Sequence, residues 1–255
     1  MRISNTEKKK RETESNYNKC GSLMKIVKYV DSKNVYIEFQ DEHKYIKKVA
    51  YHHFKNGQVK NPYEKIIYGV ACIGNTSTII KSEEPKYSYR IWITMITRCY
   101  SDKNLEKRNT YRDCFVCDEW LCYEYFEKWF DENYYEIEGE TMNLEKDILV
   151  KGNRIYSPNT CVFAPRTINS LFLKNNIKRG ELPIGVNMIG NKYEAHMTRK
   201  NKSYHIAMSD TIEGAFNAYK EAKEKEIKRV ADEYKGKIPQ KLYDAMYSYQ
   251  VEITD

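Results

Sequence analysis

LEKDILVKGNRIYSPNTCVFAPRTIN, residues 144–169, is the stretch on which the fold of this chain turns. Leu144–Ile148 reads as a strand. Gly152-Asn153 is a turn signal, because both residues adopt the backbone conformations that tight turns need. A second strand follows, and then the start of a helix that carries Asn169. An ordinary charged hairpin would account for LEKDILVKGNRIY alone. The ordered run NTCVFAPRTIN after it favours a strand–strand–helix unit.

Composition bounds what this unit can serve. The chain has 255 residues, enough for one large or several small domains, with 41% hydrophobic and 31% charged residues. The net charge of +7 points to a polyanionic partner, most simply nucleic acid. No run of about 18 apolar residues appears, so no membrane span is expected. The N-terminal MRISNTEKKKRETESNYNK has no apolar core of a secretory signal. Seven cysteines at irregular spacing argue against a secreted disulfide scaffold. A cytoplasmic protein with reduced thiols is expected.

The predicted class is α+β and multi-modular. Residues 1–20 read as a flexible basic arm. Residues 21–80 read as a small β-rich domain, with strands Met24–Val30, Asn34–Phe39 and Tyr45–Val49 separated by the turns Asp31-Ser32-Lys33 and Asp41-Glu42-His43. Residues 81–180 hold helices around a central strand–strand–helix unit: Ile91, Trp92, Met95, Ile96 and Cys99 recur at helical spacing, as do Leu121, Tyr125, Trp129 and Phe130. Residues 181–255 read as a three-stranded antiparallel sheet (Pro183–Met188, Lys192–Arg199, Ser203–Ala207) packed on a helix running from Thr211 to about Tyr234. Ala215, Phe216, Tyr219, Ala222, Ile227, Val230 and Ala231 form its apolar stripe. A short helix follows Pro239.

Arg98-Cys99-Tyr100, Val116–Trp120, Leu144–Ile148, Tyr156–Cys161 and Asn169 follow one another in an order found in many phage-encoded proteins. Over residues 87–175 the chain resembles the ββα-metal unit of phage HNH-type nucleases. The resemblance implies metal ligation by Glu145 and Asn169, with Asp147 one residue away as a substitute acid. It places Lys146 in the position of the catalytic base and Asn159 in the loop that orients it. It implies a divalent cofactor, Mg2+ or Mn2+, that stabilises the phosphate transition state, and a homing-type role in a phage within a bacterial host. The departure is the base itself. Lysine has a reference pKa of about 10.4, so roughly one in 2,500 is neutral at pH 7, and the general-base contribution of about 10²–10⁴ is forfeited. A degenerate endonuclease that nicks weakly, and a backbone-holding frame that does not cut, both fit that lysine.

Cys114 and Cys117 have the two-residue gap of a zinc knuckle. Cys99, Cys122 and Cys161 are candidates to complete a structural Zn2+ site, Cys99, Cys114, Cys117 and Cys161 being the first choice. The alternative is that these cysteines are small buried hydrophobes.

GVNMIGNKYEAHMTRKNKSYHIAMSDTIEGAFNAYKEAKEK, residues 185–225, resembles the three-stranded DNA-binding domain of the plant APETALA/ethylene-response type, which lays its sheet in the major groove. Lys192, His196, Arg199, Lys200 and Lys202 are the contacts this implies, the last three to phosphates. Tyr193 and Met197 alternate to the opposite face, suited to pack on the helix. The partner expected is double-stranded DNA. A different class stays open: a non-catalytic phage interaction protein that binds and inhibits a host defence or regulatory protein through surfaces rich in the chain's 23 tyrosines.

Overall fold

The computed structural model describes residues 4–76, 85–107, 111–173, 182–199 and 202–255. The chain divides into two compact units, Met1–Phe130 and Asp131–Asp255. The sequence predicts boundaries at 20/21, 80/81 and 180/181; the last two lie outside the described residues. The architecture is mixed α+β: an N-terminal four-stranded antiparallel sheet, a helical centre, and a C-terminal three-stranded antiparallel sheet packed on a long helix.

In the first unit the expected flexible arm is ordered from residue 4 onward. Helix α1 spans Asn5–Arg11, capped by the Ser4 hydroxyl, which accepts the Glu7 amide at 3.2 Å. Strand β1 (Ser15–Tyr17) pairs antiparallel with β2 (Leu23–Asp31). Arg11 anchors the segment: it donates to the Tyr29 hydroxyl at 2.7 Å and lies over the rings of Tyr29 and Tyr51. Glu12 accepts the Tyr29 amide at 2.8 Å. These ties to the sheet order residues that composition alone marks as loose.

Strand β3 (Asn34–Phe39) pairs with β2 and with β4 (Ile46–Val49), giving the order β1-β2-β3-β4. Val35, Ile37 and Phe39 alternate inward along β3 and meet Met24, Ile26 and Tyr29 of β2. Bulges on β2 at Val27 and Val30 interrupt its period and bend the strand. Helix α2 (Tyr51–Lys55) places fully buried Phe54 in the same core. Gly57, at φ +63°, is required there, since a Cβ would stand 2.8 Å from the Tyr17 carbonyl oxygen.

Helix α3 (Tyr87–Tyr100) buries Trp92, Met95, Ile96 and Cys99, four of the five residues its period marks. Helix α4 (Asp102–Lys107), the short strand β5 (Phe115–Val116) and a 3-10 turn at Asp118–Leu121 lead to α5 (Tyr123–Asn133). Phe126, rather than the predicted Tyr125, turns inward on α5. It packs edge-on against Trp120 at 5.0 Å. The Trp92 indole donates to the Trp120 carbonyl at 2.7 Å, satisfying a polar atom inside the aromatic core.

In the second unit β6 (Met142–Glu145) pairs antiparallel not with the segment after Gly152-Asn153 but with β8 (Val162–Pro165). The predicted hairpin around that turn is replaced by a loop, residues 146–161, holding only the two-residue strand β7 (Ile155–Tyr156). Helix α6 (Arg166–Phe172) follows β8 directly. The order strand–loop–strand–helix is therefore kept, with the second strand later than expected.

Strands β9 (Val186–Ile189), β10 (Lys192–Arg199) and β11 (Lys202–Ser209) form the sheet β11-β10-β9. Helix α7 (Ile212–Glu233) is capped by Thr211, whose hydroxyl accepts the Gly214 amide at 3.1 Å. Its first half puts Ala215, Phe216 and Tyr219 against Val186 and Ala195 of the sheet. Its second half puts Ile227, Val230 and Ala231 against Ile148, Val162, Ala164 and Ile168 of the strand–strand–helix unit. Helix α8 (Gln240–Tyr247) closes that second core with Leu242 and Met246. No described helix is long and apolar enough to cross a membrane.

Candidate functional site

The β6–β8–α6 unit fixes which residues can act together. Residues directly paired across antiparallel strands share a face. Glu145 pairs with Val162 and Asn143 with Ala164, while Leu144 pairs with Phe163. Val162 and Ala164 pack with Ile168 of α6 and with α7, so Glu145 lies on the helix-covered side of the hairpin. Phe163 faces the other side, where the Tyr134 ring meets it edge-on at 5.2 Å. Asn169 is the fourth residue of α6, next to fully buried Ile168. The fold thus puts the Glu145 carboxylate and the helix of Asn169 on one side of one small sheet. The start of α6 is held by Glu140, which accepts from the Thr167 hydroxyl at 2.7 Å and from Tyr234. Burial raises the Glu140 carboxyl, but the bonds from Tyr234 and Thr167 outweigh it and hold the group below the ordinary carboxylate range.

Lys146 stands where a base would be, but its ammonium is turned into the loop. Its side chain is only 10% exposed. It donates to the Asn153 carbonyl at 2.9 Å, pairs with Asp147, and lies 5.8 Å from the centre of the Tyr156 ring. Asn153 completes the arrangement: its amide donates to the carbonyls of Lys146 (2.9 Å) and Ile155 (2.7 Å), and its oxygen accepts the Ile155 amide at 3.2 Å. Side-chain bonds thus take carbonyls that a hairpin ladder would use, which explains why the predicted strand pair does not form. Asp147, the substitute acid, is committed to Lys146.

Asn159 sits at the exposed tip of a tight turn. Thr160 donates to the Ile155 carbonyl at 2.7 Å and the Cys161 amide to the Ser157 carbonyl at 3.0 Å, so the turn is held without it. The loop has a further anchor that the sequence does not reveal. Lys151 reaches the Asp255 carboxylate at 2.9 Å, Glu252 at 3.2 Å and the Gln250 carbonyl at 3.0 Å, fastening residues 146–154 to the C-terminal segment.

As the resemblance would use them, Glu145 and Asn169 form an all-oxygen donor set. It suits a hard cation that keeps water and a substrate phosphate among its ligands, as Mg2+ does, rather than one that needs a closed protein cage. Such an ion would supply charge stabilisation to a phosphate on the helix side of the hairpin. Zinc does not fit. Among the described residues no group of three or more His, Cys, Asp or Glu could hold a metal ion. Cys99, Cys114 and Cys161 are buried, Cys117 is half-buried with its thiol pushed up chiefly by that burial, and no disulfide joins the seven cysteines.

The C-terminal sheet places its predicted contacts unevenly. Tyr193, Ala195 and Met197 face α7, so Lys192, Glu194, His196 and Thr198 line the open face. Lys192 pairs with Asp210 at 3.1 Å, and His205, opposite His196, binds Glu194 at 2.8 Å. His196 is half-buried, and its Nδ1 is buried with no hydrogen-bond partner among the described residues. Arg199 lies on the α7 side, 3.1 Å from buried Glu226. Glu226 also takes two bonds of 2.7 Å from Arg229, and these, with Arg199 and Lys223 nearby, hold its carboxyl below the ordinary range. Lys202 is exposed at the start of β11, and Lys200 lies outside the described residues. Much of the module's positive charge is therefore answered by its own acids.

No family model, curated protein or solved structure matches the chain.

Proposed function

We propose that this chain is a phage-type, duplex-DNA-binding protein built on an HNH-like ββα frame that holds the phosphate backbone without an effective general base. One observation carries the reading: on a β6–β8–α6 unit with Glu145 on the helix side, the residue at the base position is a lysine whose ammonium is spent on the Asn153 carbonyl and Asp147. An ammonium so engaged orders the loop and takes no proton from water. The strand–helix order supports kinship with the nucleases. The chain's +7 charge supports a nucleic-acid partner.

The test has two arms. Fluorescence anisotropy on a labelled duplex of about 30 base pairs should show affinity falling steeply with KCl through counterion release. Supercoiled plasmid with Mg2+ or Mn2+ should be retarded, with nicking absent or slow. Rapid metal-dependent nicking that disappears in Glu145→Ala and Asn169→Ala would overturn the non-cutting half. Absence of binding at low salt would overturn the whole reading. A protein partner is favoured by one feature, the exposed Ile189 and Met208 on the C-terminal sheet. Salt-insensitive capture of a host protein, with no affinity for DNA, would establish it instead.

A further inference from the structure

The chain's charge is concentrated where the sequence resemblance does not look. Residues 1–60 contain 14 Lys and Arg against 7 Asp and Glu, a surplus of seven equal to that of the whole chain. Residues 61–255 carry 29 of each and are neutral overall. The described part of this basic segment includes the four-stranded sheet.

The strand register says which lysines act as one surface. Met24, Ile26, Tyr29, Val35, Ile37 and Phe39 fill the inner face. On the outer face Lys25 stands opposite Ser15 of β1 and Glu38 of β3, and Lys28 stands opposite Tyr36, which stands opposite Lys48 of β4. Lys25, Lys28 and Lys48 are exposed, as is Lys33 in the turn between β2 and β3. Lys28 and Lys48 flank Tyr36 two strands apart, roughly 10 Å, and Lys25 lies about 10 Å from Lys28 along β2. None of these four ammonium groups forms an ion pair among the described residues. Two acids stand near them, and Lys48, after the Asn34 and Lys33 hydrogen bonds, helps to hold the Asp31 carboxyl below the ordinary range. Glu38 accepts from the Gln40 amide at 2.8 Å, and Asp31 accepts from the backbone amides of Lys33 (2.8 Å) and Asn34 (3.0 Å). This contrasts with the C-terminal sheet, where Lys192, Arg199 and His205 each have an acidic partner.

We propose that the outer face of the N-terminal sheet is the main attachment surface for duplex DNA, with Lys25, Lys28 and Lys48 contacting backbone phosphates without reading sequence. The proposal rests on the DNA-binding reading above and adds where the affinity resides. A duplex presents about one phosphate per 1.7 Å of its axis, so a face roughly 10 Å across meets several. The chemistry favours backbone contact over base stacking. Tyr36 is half-buried and already has the Lys28 ammonium 5.9 Å from its ring centre, so its face is not open to an unstacked base.

The experiment compares three full-length proteins on one duplex across a KCl series: wild type, Lys25→Gln/Lys28→Gln/Lys48→Gln, and Lys192→Gln/Lys202→Gln. Each lost phosphate contact lowers the slope of log affinity against log salt by about 0.9. The N-terminal triple variant should lose about 2–3 in slope and at least roughly tenfold in affinity at low salt. The C-terminal variant should lose less in slope and affinity than the N-terminal one, because Lys192 is already paired with Asp210. A triple Lys→Arg variant at the three N-terminal positions should bind like wild type, which separates lost charge from lost folding. If wild type binds but the N-terminal Gln variant keeps its slope and affinity, the surface assignment fails while the DNA reading stands. If the C-terminal variant carries the loss, the assignment also fails. If wild type does not bind at low salt, both fall together.

Discussion

Replacing Lys146 with methionine separates a structural lysine from a catalytic one. Methionine keeps the apolar stem and removes the ammonium. The bond to the Asn153 carbonyl at 2.9 Å is charge-assisted, and such bonds contribute about 1.5–3 kcal/mol. The pair with Asp147 adds little, because the Asp147 side chain is 54% exposed and solvent screens it; its share is about 0–1 kcal/mol. Relief from burying an ammonium offsets part of the loss. The net expectation is a destabilisation of about 2 kcal/mol. The unit Asp131–Asp255 should unfold with an entropy of about 0.26 kcal/mol/K, so its melting transition should fall by about 8 °C. Differential scanning calorimetry on the full chain measures this, with plasmid nicking assayed in parallel. The reasoning is refuted if the transition moves by less than about 2 °C while a metal-dependent nicking activity disappears. That pattern belongs to a residue working on substrate and not on its own loop.

Two other perturbations address the framework. Glu226 is buried and its folded-state pKa is depressed, first by the Arg229 hydrogen bond; its stabilising contribution is therefore present above the unfolded-state value of about 4.3 and is lost as pH falls through the lower folded value. Melting curves between about pH 5 and pH 2 should show a steep acid limb in wild type and a shallower one in Glu226→Gln, and identical limbs would count against the Arg199–Glu226–Arg229 cluster as a source of stability. Gly185→Ala should destabilise the C-terminal sheet by about 3 kcal/mol, because the position has φ +74° and a Cβ would fall 2.0 Å from the Tyr219 ring. An unchanged urea midpoint in that variant would mean the Gly185–Tyr219 contact is not as close as described.

The parts of the fold legible in the sequence are those whose signal is local. Val35, Ile37 and Phe39 alternate without interruption, and β3 forms where predicted. Lys192–Arg199 is predicted to the residue because Gly190-Asn191 marks its start and aromatic alternation marks its length. What the sequence hides depends on partners far along the chain. Arg11 is ordered by Tyr29 and Tyr51, which no composition rule for residues 1–20 would include. The predicted hairpin at Gly152-Asn153 fails because the Asn153 side chain bonds the carbonyl of Lys146, seven residues away. Of the proposed site residues, Glu145 lies on the side of the β6–β8 hairpin that α6, the helix carrying Asn169, covers. Arg199 has a counter-charge that its own segment does not reveal, Glu226, twenty-seven residues later.

Helix α7 adds a constraint that a list of modules would miss. Phe216 and Tyr219 face the C-terminal sheet, and Ile227 and Val230, eleven residues further on, face the β6–β8–α6 core. Eleven residues make just over three full turns, so both contacts lie on nearly the same side of one rigid helix, about 16 Å apart along its axis. The sheet and the ββα unit are thus two stations on one beam, and each turns its inner face toward it. What remains outward on the sheet, among the described residues, is a surface where Lys192 pairs with Asp210 and His205 bonds Glu194. A unit of this kind can position a phosphate once it is close, but it has little field with which to draw a duplex in. Long-range attraction must then come from the residues that hold the surplus charge. In this chain those are the first sixty, so the proposed function assigns electrostatic attachment and backbone positioning to different units.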